Sequence, residues 1–200
     1  MESVENKILK RIRGKGRGSV IFMSDFADNG TPSAIKSAFH RLYSDGVLLR
    51  LSQGIYYYPK IDTELGLGVL YPSIDEIAEA IAKRDHAKIV PTGAYALNRL
   101  GLTTQVPMNI VYVTSGTPRK VKVGNGNGIL FKHSSSGRLF AFQSNYLLLV
   151  VMAMKEIGPG QITEEQITMI KNNLSIIPQP EFNHDIKLMP IWIRQILMKR

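Results

Sequence analysis

The stretch TPSAIKSAFHRLYSDGVLLRLSQGIYYYP, residues 31–59, decides the fold. Thr31 followed by Pro32 predicts a helix start, with a side-chain acceptor at the cap and proline where its missing N–H costs nothing. Ile35, Ala38, Phe39 and Leu42 recur at helical spacing, so one face of this helix is apolar. The helix continues through Tyr43, and Gly46, suited to the left-handed conformation, predicts its stop. Val47–Leu51 and Ile55–Tyr58 then read as two strands around a Ser52-Gln53-Gly54 turn, with Pro59 ending the second.

Upstream, Val4, Ile8, Leu9 and Ile12 predict an amphipathic helix over residues 3–13, broken by Gly14-Lys15-Gly16-Arg17-Gly18. Ser19–Phe22 is a short β-type run, Ser24 is a cap for a short helix over Asp25–Asp28, and Asn29-Gly30 is a turn. Helix, strand, short helix, turn, longer helix and hairpin within residues 1–60 is the plan of a winged helix-turn-helix.

Residues 61–200 are expected to form a second domain, after a linker-like entry, giving an α+β chain. Ser73-x-x-Glu76 and Thr163-x-x-Gln166 are capping boxes that open helices. Thr92 is a cap for a helix running to Leu100, and Ser144 or Asn145 starts an apolar helix ending near Gly158. Ile110–Thr114, Lys120–Val123 and Ile129–Lys132 are strand-like, the last two joined by the loop Gly124–Gly128. Pro190 begins a final helix, with Lys199 and Arg200 at its negative end.

The formal net charge is +9, and it is unevenly placed. Residues 61–82 hold five acidic and no basic residues, whereas residues 83–138 hold nine basic residues against Asp85 alone. A field of that sign concentrates polyanions such as nucleic acid; its blander consequence is solubility. With no cysteine, disulfides, thiolate metal sites and cysteine nucleophiles are excluded. The longest apolar run, Tyr146–Met154, is about half a membrane span, and the N-terminus lacks a secretion-type apolar core. The expectation is a soluble, cytoplasmic protein.

Opposite the apolar stripe of the 31–44 helix lie Ser33, Lys36, Ser37 and His40, with Arg41 at the flank. Small hydroxyl residues let a backbone approach a duplex, and Lys or Arg reaches guanine edges or phosphate. An ordinary solvated helix face has the same composition, and the flanking turn and hairpin are what favour the DNA reading. Arg50 and Gln53, near the hairpin tip, are candidates for contacts to phosphate or a minor groove. Lys15 and Arg17 sit among glycines whose spacing matches no nucleotide-binding pattern, leaving a basic loop on DNA backbone or a plain solvated turn. Arg99, Arg119, Lys120, Lys122, Lys132 and Arg138 form a second basic set that could extend a DNA footprint, bind RNA or receive an acidic protein. The four histidines show no metal-ligand spacing and no nucleophile elbow is present, so neither catalysis, metal nor cofactor is expected.

AFHRLYSDGVLLRLSQGIYYYP (Ala38–Pro59) and VPTGAYALNRLGLTTQVPMNIVYVTSG (Val90–Gly116) together resemble AbiEi-type antitoxins, over roughly residues 5–140. The resemblance implies an N-terminal winged helix that represses its own operon at inverted repeats. It also implies a C-terminal antitoxin domain of a type IV toxin–antitoxin system acting in abortive infection against phage. That domain counters a nucleotidyltransferase toxin without a stable complex. DNA reading then falls on Ser33, Lys36, Ser37, His40 and Arg41, with Arg50 and Gln53 on the wing. Either a dimer spanning half-sites about 34 Å apart or separate monomers fits such repeats. The rival reading is a protein-interaction adaptor whose winged helix and basic C-terminal region bind an acidic partner.

Overall fold

A computed structural model describes residues 2–124 and 127–198, and among them the chain is mixed α+β. It divides into two compact units, Met1–Ala80 with Lys122–Gly126, and Ile81–Val121 with Asn127–Arg200.

In the first unit, α1 (Val4–Lys15) starts at Ser3, whose hydroxyl accepts the Asn6 N–H at 3.1 Å. The helix runs through Gly14, since one glycine costs only about 1 kcal/mol there, and turns out at Gly16 with φ 82°. Lys15 is therefore helical rather than part of a glycine loop. After β1 (Ser19–Phe22), Met23–Asn29 forms 3-10 turns kinked at Phe26. Ser24 does not cap them: Phe22 holds the cap position and no side chain bonds there. The kink turns the Phe26 ring inward, where it is fully buried.

The helix α2 (Pro32–Ser44) begins as expected, with the Thr31 hydroxyl accepting the Ala34 N–H. Gly46, at φ 71°, donates to the Tyr43 carbonyl and releases the chain into β2 (Leu49–Ser52) and β3 (Ile55–Tyr58). The sheet order is β1-β3-β2, with both pairings antiparallel. The central position of β3 explains why Tyr56, Tyr57 and Tyr58 are all buried although they alternate faces. Ile8, Ile12, Ile21, Phe26, Ile35, Phe39, Leu42 and Leu48 fill the core beneath them.

The segment read as a linker contains a short ribbon, β4 (Lys60–Asp62) and β5 (Gly68–Leu70), paired antiparallel. Its strands, three residues each, are too short for a periodicity signal. The Asp62 carboxylate accepts the Glu64 and Leu65 N–H groups to close the turn, and the Tyr57 hydroxyl donates to the Leu70 carbonyl at 2.8 Å. The capping box of α3 (Ile74–Arg84) is formed, Ser73 accepting from the Glu76 N–H and Glu76 accepting from the Ser73 N–H.

Beyond α3 the chain turns at His86, the one described non-glycine residue with positive φ (51°). The His86 and Ala87 N–H groups bond the Lys83 and Ala82 carbonyls, the double closure that normally selects glycine. His86→Gly should raise stability by about 0.5 kcal/mol, because relief of left-handed strain of about 1 kcal/mol exceeds the added unfolded-state entropy. A denaturant midpoint measured by circular dichroism checks it.

A four-stranded sheet of order β6-β7-β9-β8 is built from β6 (Ile89–Thr92), β7 (Asn109–Thr114), β8 (Arg119–Val123) and β9 (Asn127–His133), all in the second unit except the last two residues of β8. β7 pairs antiparallel with β6 and parallel with β9. Thr92 does not cap α4 (Ala94–Arg99): it is committed to the ladder opposite Val111, and Gly93 at φ 65° takes the cap position. The apolar α5 (Asn145–Ile157) is capped by Ser144. It is apolar all round because it serves two clusters. Leu147, Val150, Val151 and Met154 meet one, Leu148, Met152 and Ala153 the other. The second capping box opens α6 (Glu164–Asn172), and α7 (Gln179–Asp185) and α8 (Ile191–Met198) complete the unit. The centre of the Gly124–Gly128 loop, and Lys199 and Arg200, lie outside the described residues. No described helix is long and apolar enough to cross a membrane.

Candidate nucleic-acid interface

The α2 helix is amphipathic by construction. Ile35, Ala38, Phe39 and Leu42 are buried, and the Phe39 ring lies 5.4 Å from Phe26 and 4.9 Å from Tyr56. That packing fixes which way the opposite face points. Ser33, Lys36, Ser37 and His40, spaced three, four and seven residues from the first, form one exposed ridge about 10 Å long. Among the described residues no side-chain hydrogen bond or ion pair engages any of the four, and the helix contains no acidic residue. A ridge of two hydroxyls, an imidazole and an ammonium offers donors to base edges and phosphate without a carboxylate to repel them.

The flanking candidates divide by what already holds them. The Arg41 Nε donates to Glu5 on α1, tying the two helices; the pair is exposed and contributes at most about 1 kcal/mol. Lys15 pairs with Asp25 at 3.2 Å and lies over the Phe26 ring. Arg17 donates to the Pro59 carbonyl at 2.9 Å with its guanidinium 4.8 Å above the Tyr58 ring. These two cations are used to fasten the chain to its own core. Arg50 and Gln53 are exposed on the β2–β3 hairpin, whose tip is short and held down by the Met23 N–H donating to the Gly54 carbonyl at 3.0 Å.

Residue-by-residue reading missed two features of α1. Lys7, Lys10 and Arg13 are exposed on the face opposite Val4, Ile8 and Ile12, a cationic stripe legible from the same spacing that marks the core. Arg11 lies over the Phe26 ring and donates to Asp28, Asn29 and the Asp25 carbonyl. Its hydrogen bond holds the Asp28 carboxyl below the ordinary carboxylate range.

In the second unit, Arg119 and Arg138 are likewise committed. Arg138 donates to the Leu188 and Lys187 carbonyls, each at 2.9 Å. Arg119 pairs with Asp85, which Arg84 also contacts at 2.9 Å. Burial, and then the charge of Arg84, lower the Arg119 guanidinium's affinity for its proton, and its Nε is buried without a partner. Asp85→Ala should remove the carboxylate that the adjacent Arg84 and Arg119 guanidiniums share and cost about 2 kcal/mol, with part recovered by added salt in urea melts. Lys120 and Lys122 alternate with buried Val121 along β8 and are exposed, as are Lys132 and Arg99. Among the described residues no cluster of three His, Asp or Glu side chains could hold a metal ion.

The chain belongs to a family of unknown function, DUF6088, whose model matches residues 7–179, from the first turn of α1 to the start of α7. No curated protein matches it.

Proposed function

We propose that the first unit is a winged helix-turn-helix that reads double-stranded DNA through α2, and that the protein is a transcriptional autorepressor. The supporting observation is the exposed Ser33–Lys36–Ser37–His40 ridge, free of carboxylates and rigidly backed by the Phe26–Phe39–Tyr56 packing. The order helix, strand, turn, helix and hairpin, closed by a β1-β3-β2 sheet, gives that ridge the setting a recognition helix requires. Arg50 and Gln53 on the hairpin, and the Lys7, Lys10 and Arg13 stripe, supply further contacts to phosphate in this reading.

The antitoxin role rests on the resemblance of Ala38–Pro59 and Val90–Gly116 to AbiEi-type proteins. In it, a cytoplasmic, non-catalytic second unit counters a nucleotidyltransferase toxin, using the exposed Lys120 and Lys132. Gel-shift titration against the DNA upstream of the protein's own reading frame, at two salt concentrations, tests the DNA reading. A specific shift whose affinity falls steeply with salt is expected. No shift, with co-purification of an acidic protein instead, favours the adaptor. Growth rescue on co-expression with a neighbouring nucleotidyltransferase tests the antitoxin role.

A further inference from the structure

The β4–β5 ribbon is built inside out. Ile61 pairs directly with Val69, so the two side chains share a face, and Leu67 and Tyr71, two residues either side of Val69, continue it. All four are turned to solvent, Leu67 at 65 % and Tyr71 at 69 % exposure, with Leu65 of the connecting turn at 79 %. The opposite face carries Lys60, Asp62 and Gly68 beside the half-buried Leu70, so charge and glycine dominate the side that a solvated ribbon would normally give to apolar residues. The ribbon has only its own two strands, which makes it marginal in water unless something packs on it. A contiguous apolar face of this kind marks an association surface.

From this face we infer that the ribbon is where the chain associates with a second copy of itself, face to face through Ile61, Leu67, Val69 and Tyr71. Charge selects the occupant. The face carries no cation to hold nucleic acid and none to hold an anionic membrane surface. Two copies with a net charge of +9 each repel over most of their surface. Residues 60–71, with Lys60 against Asp62 and Glu64, are nearly neutral. The apolar face of the ribbon is thus where two such chains can meet with little like charge opposed, and Lys60 and Asp62 lie on its far face. A twofold association of identical apolar faces is self-complementary and closes at two copies. Its modest size makes for a weak dimer.

Sedimentation equilibrium of the full chain over a range of concentrations should show a monomer–dimer equilibrium. The variant carrying Leu67→Ser and Tyr71→Ser should associate at least about tenfold more weakly while keeping its far-ultraviolet circular dichroism. Because the chain has no cysteine, single-cysteine variants give a second test that does not depend on weakening the ribbon. Leu67→Cys should form disulfide-linked dimers on mild oxidation, and Lys155→Cys, exposed on α5, should not. A wild-type chain that stays monomeric throughout, a double variant that associates as well as wild type, or equal cross-linking at the two positions would each overturn the inference. None of these measurements uses DNA, so the inference stands or falls apart from the proposed function.

Discussion

Alanine at Lys36, Ser37 and His40 together should weaken binding to the target DNA by about 3 kcal/mol or more, over a hundredfold, while leaving the fold intact. Removing a hydrogen bond to a base edge costs about 1–3 kcal/mol. The three side chains are exposed and bond nothing else among the described residues, so their removal costs the fold little. Fluorescence anisotropy on specific and scrambled duplexes measures the effect, and near-wild-type thermal melting confirms that folding is unaffected. The stripe on α1 predicts a contrasting pattern. Alanine at Lys7, Lys10 and Arg13 should weaken specific and scrambled duplexes alike and flatten the salt dependence by about one counterion per cation removed. A triple α2 variant that binds specific DNA as tightly as wild type would show that the ridge is only a solvated helix face.

Asp185→Ala should be the most damaging polar substitution in the second unit, at about 3 kcal/mol. The carboxylate is fully buried. Its two oxygens accept the Gln143 and Ser144 N–H groups at 2.9 and 2.8 Å, and His184 Nδ1 lies 2.8 Å from one of them. Those amides lead into α5, a helix shared by two apolar clusters, so this one side chain ties α7 to the start of that helix. Alanine leaves buried donors without acceptors, and each costs about 1–3 kcal/mol. Asp185→Asn keeps one acceptor oxygen but turns an amide group toward the remaining donors, and should cost about 2 kcal/mol. Denaturant titrations followed by tryptophan fluorescence report both, since Trp192 on α8 packs against the same cluster.

Features written in local chemistry were legible beforehand. The Thr31-Pro32 start of α2, its buried stripe, the two capping boxes and the Ser144 cap all depend on residues a few positions apart, and each is formed. Features that depend on distant partners were not. Nothing near Thr92 announces that Val111 will recruit it into a sheet, and nothing near Asp185 announces that its acceptors are needed forty residues away. The candidate site shows the same division. Ser33, Lys36, Ser37 and His40 are exposed as helical spacing requires, whereas Lys15, Arg17, Arg119 and Arg138 looked like surface charge. They are held by Asp25, Pro59, Asp85 and Leu188, residues that counting cations along a chain cannot pair with them.

The strand order of the second unit bears on synthesis. β7 and β8 are separated by only four residues and leave the ribosome next to one another, an arrangement that invites a simple hairpin. The finished protein instead lodges β9 between them. Nascent chains truncated before residue 133 therefore have a tempting wrong partner and lack the right one. Acquisition of the correct topology must wait for that last strand to emerge, which makes this interval of translation the one during which the growing polypeptide is most exposed to misassembly.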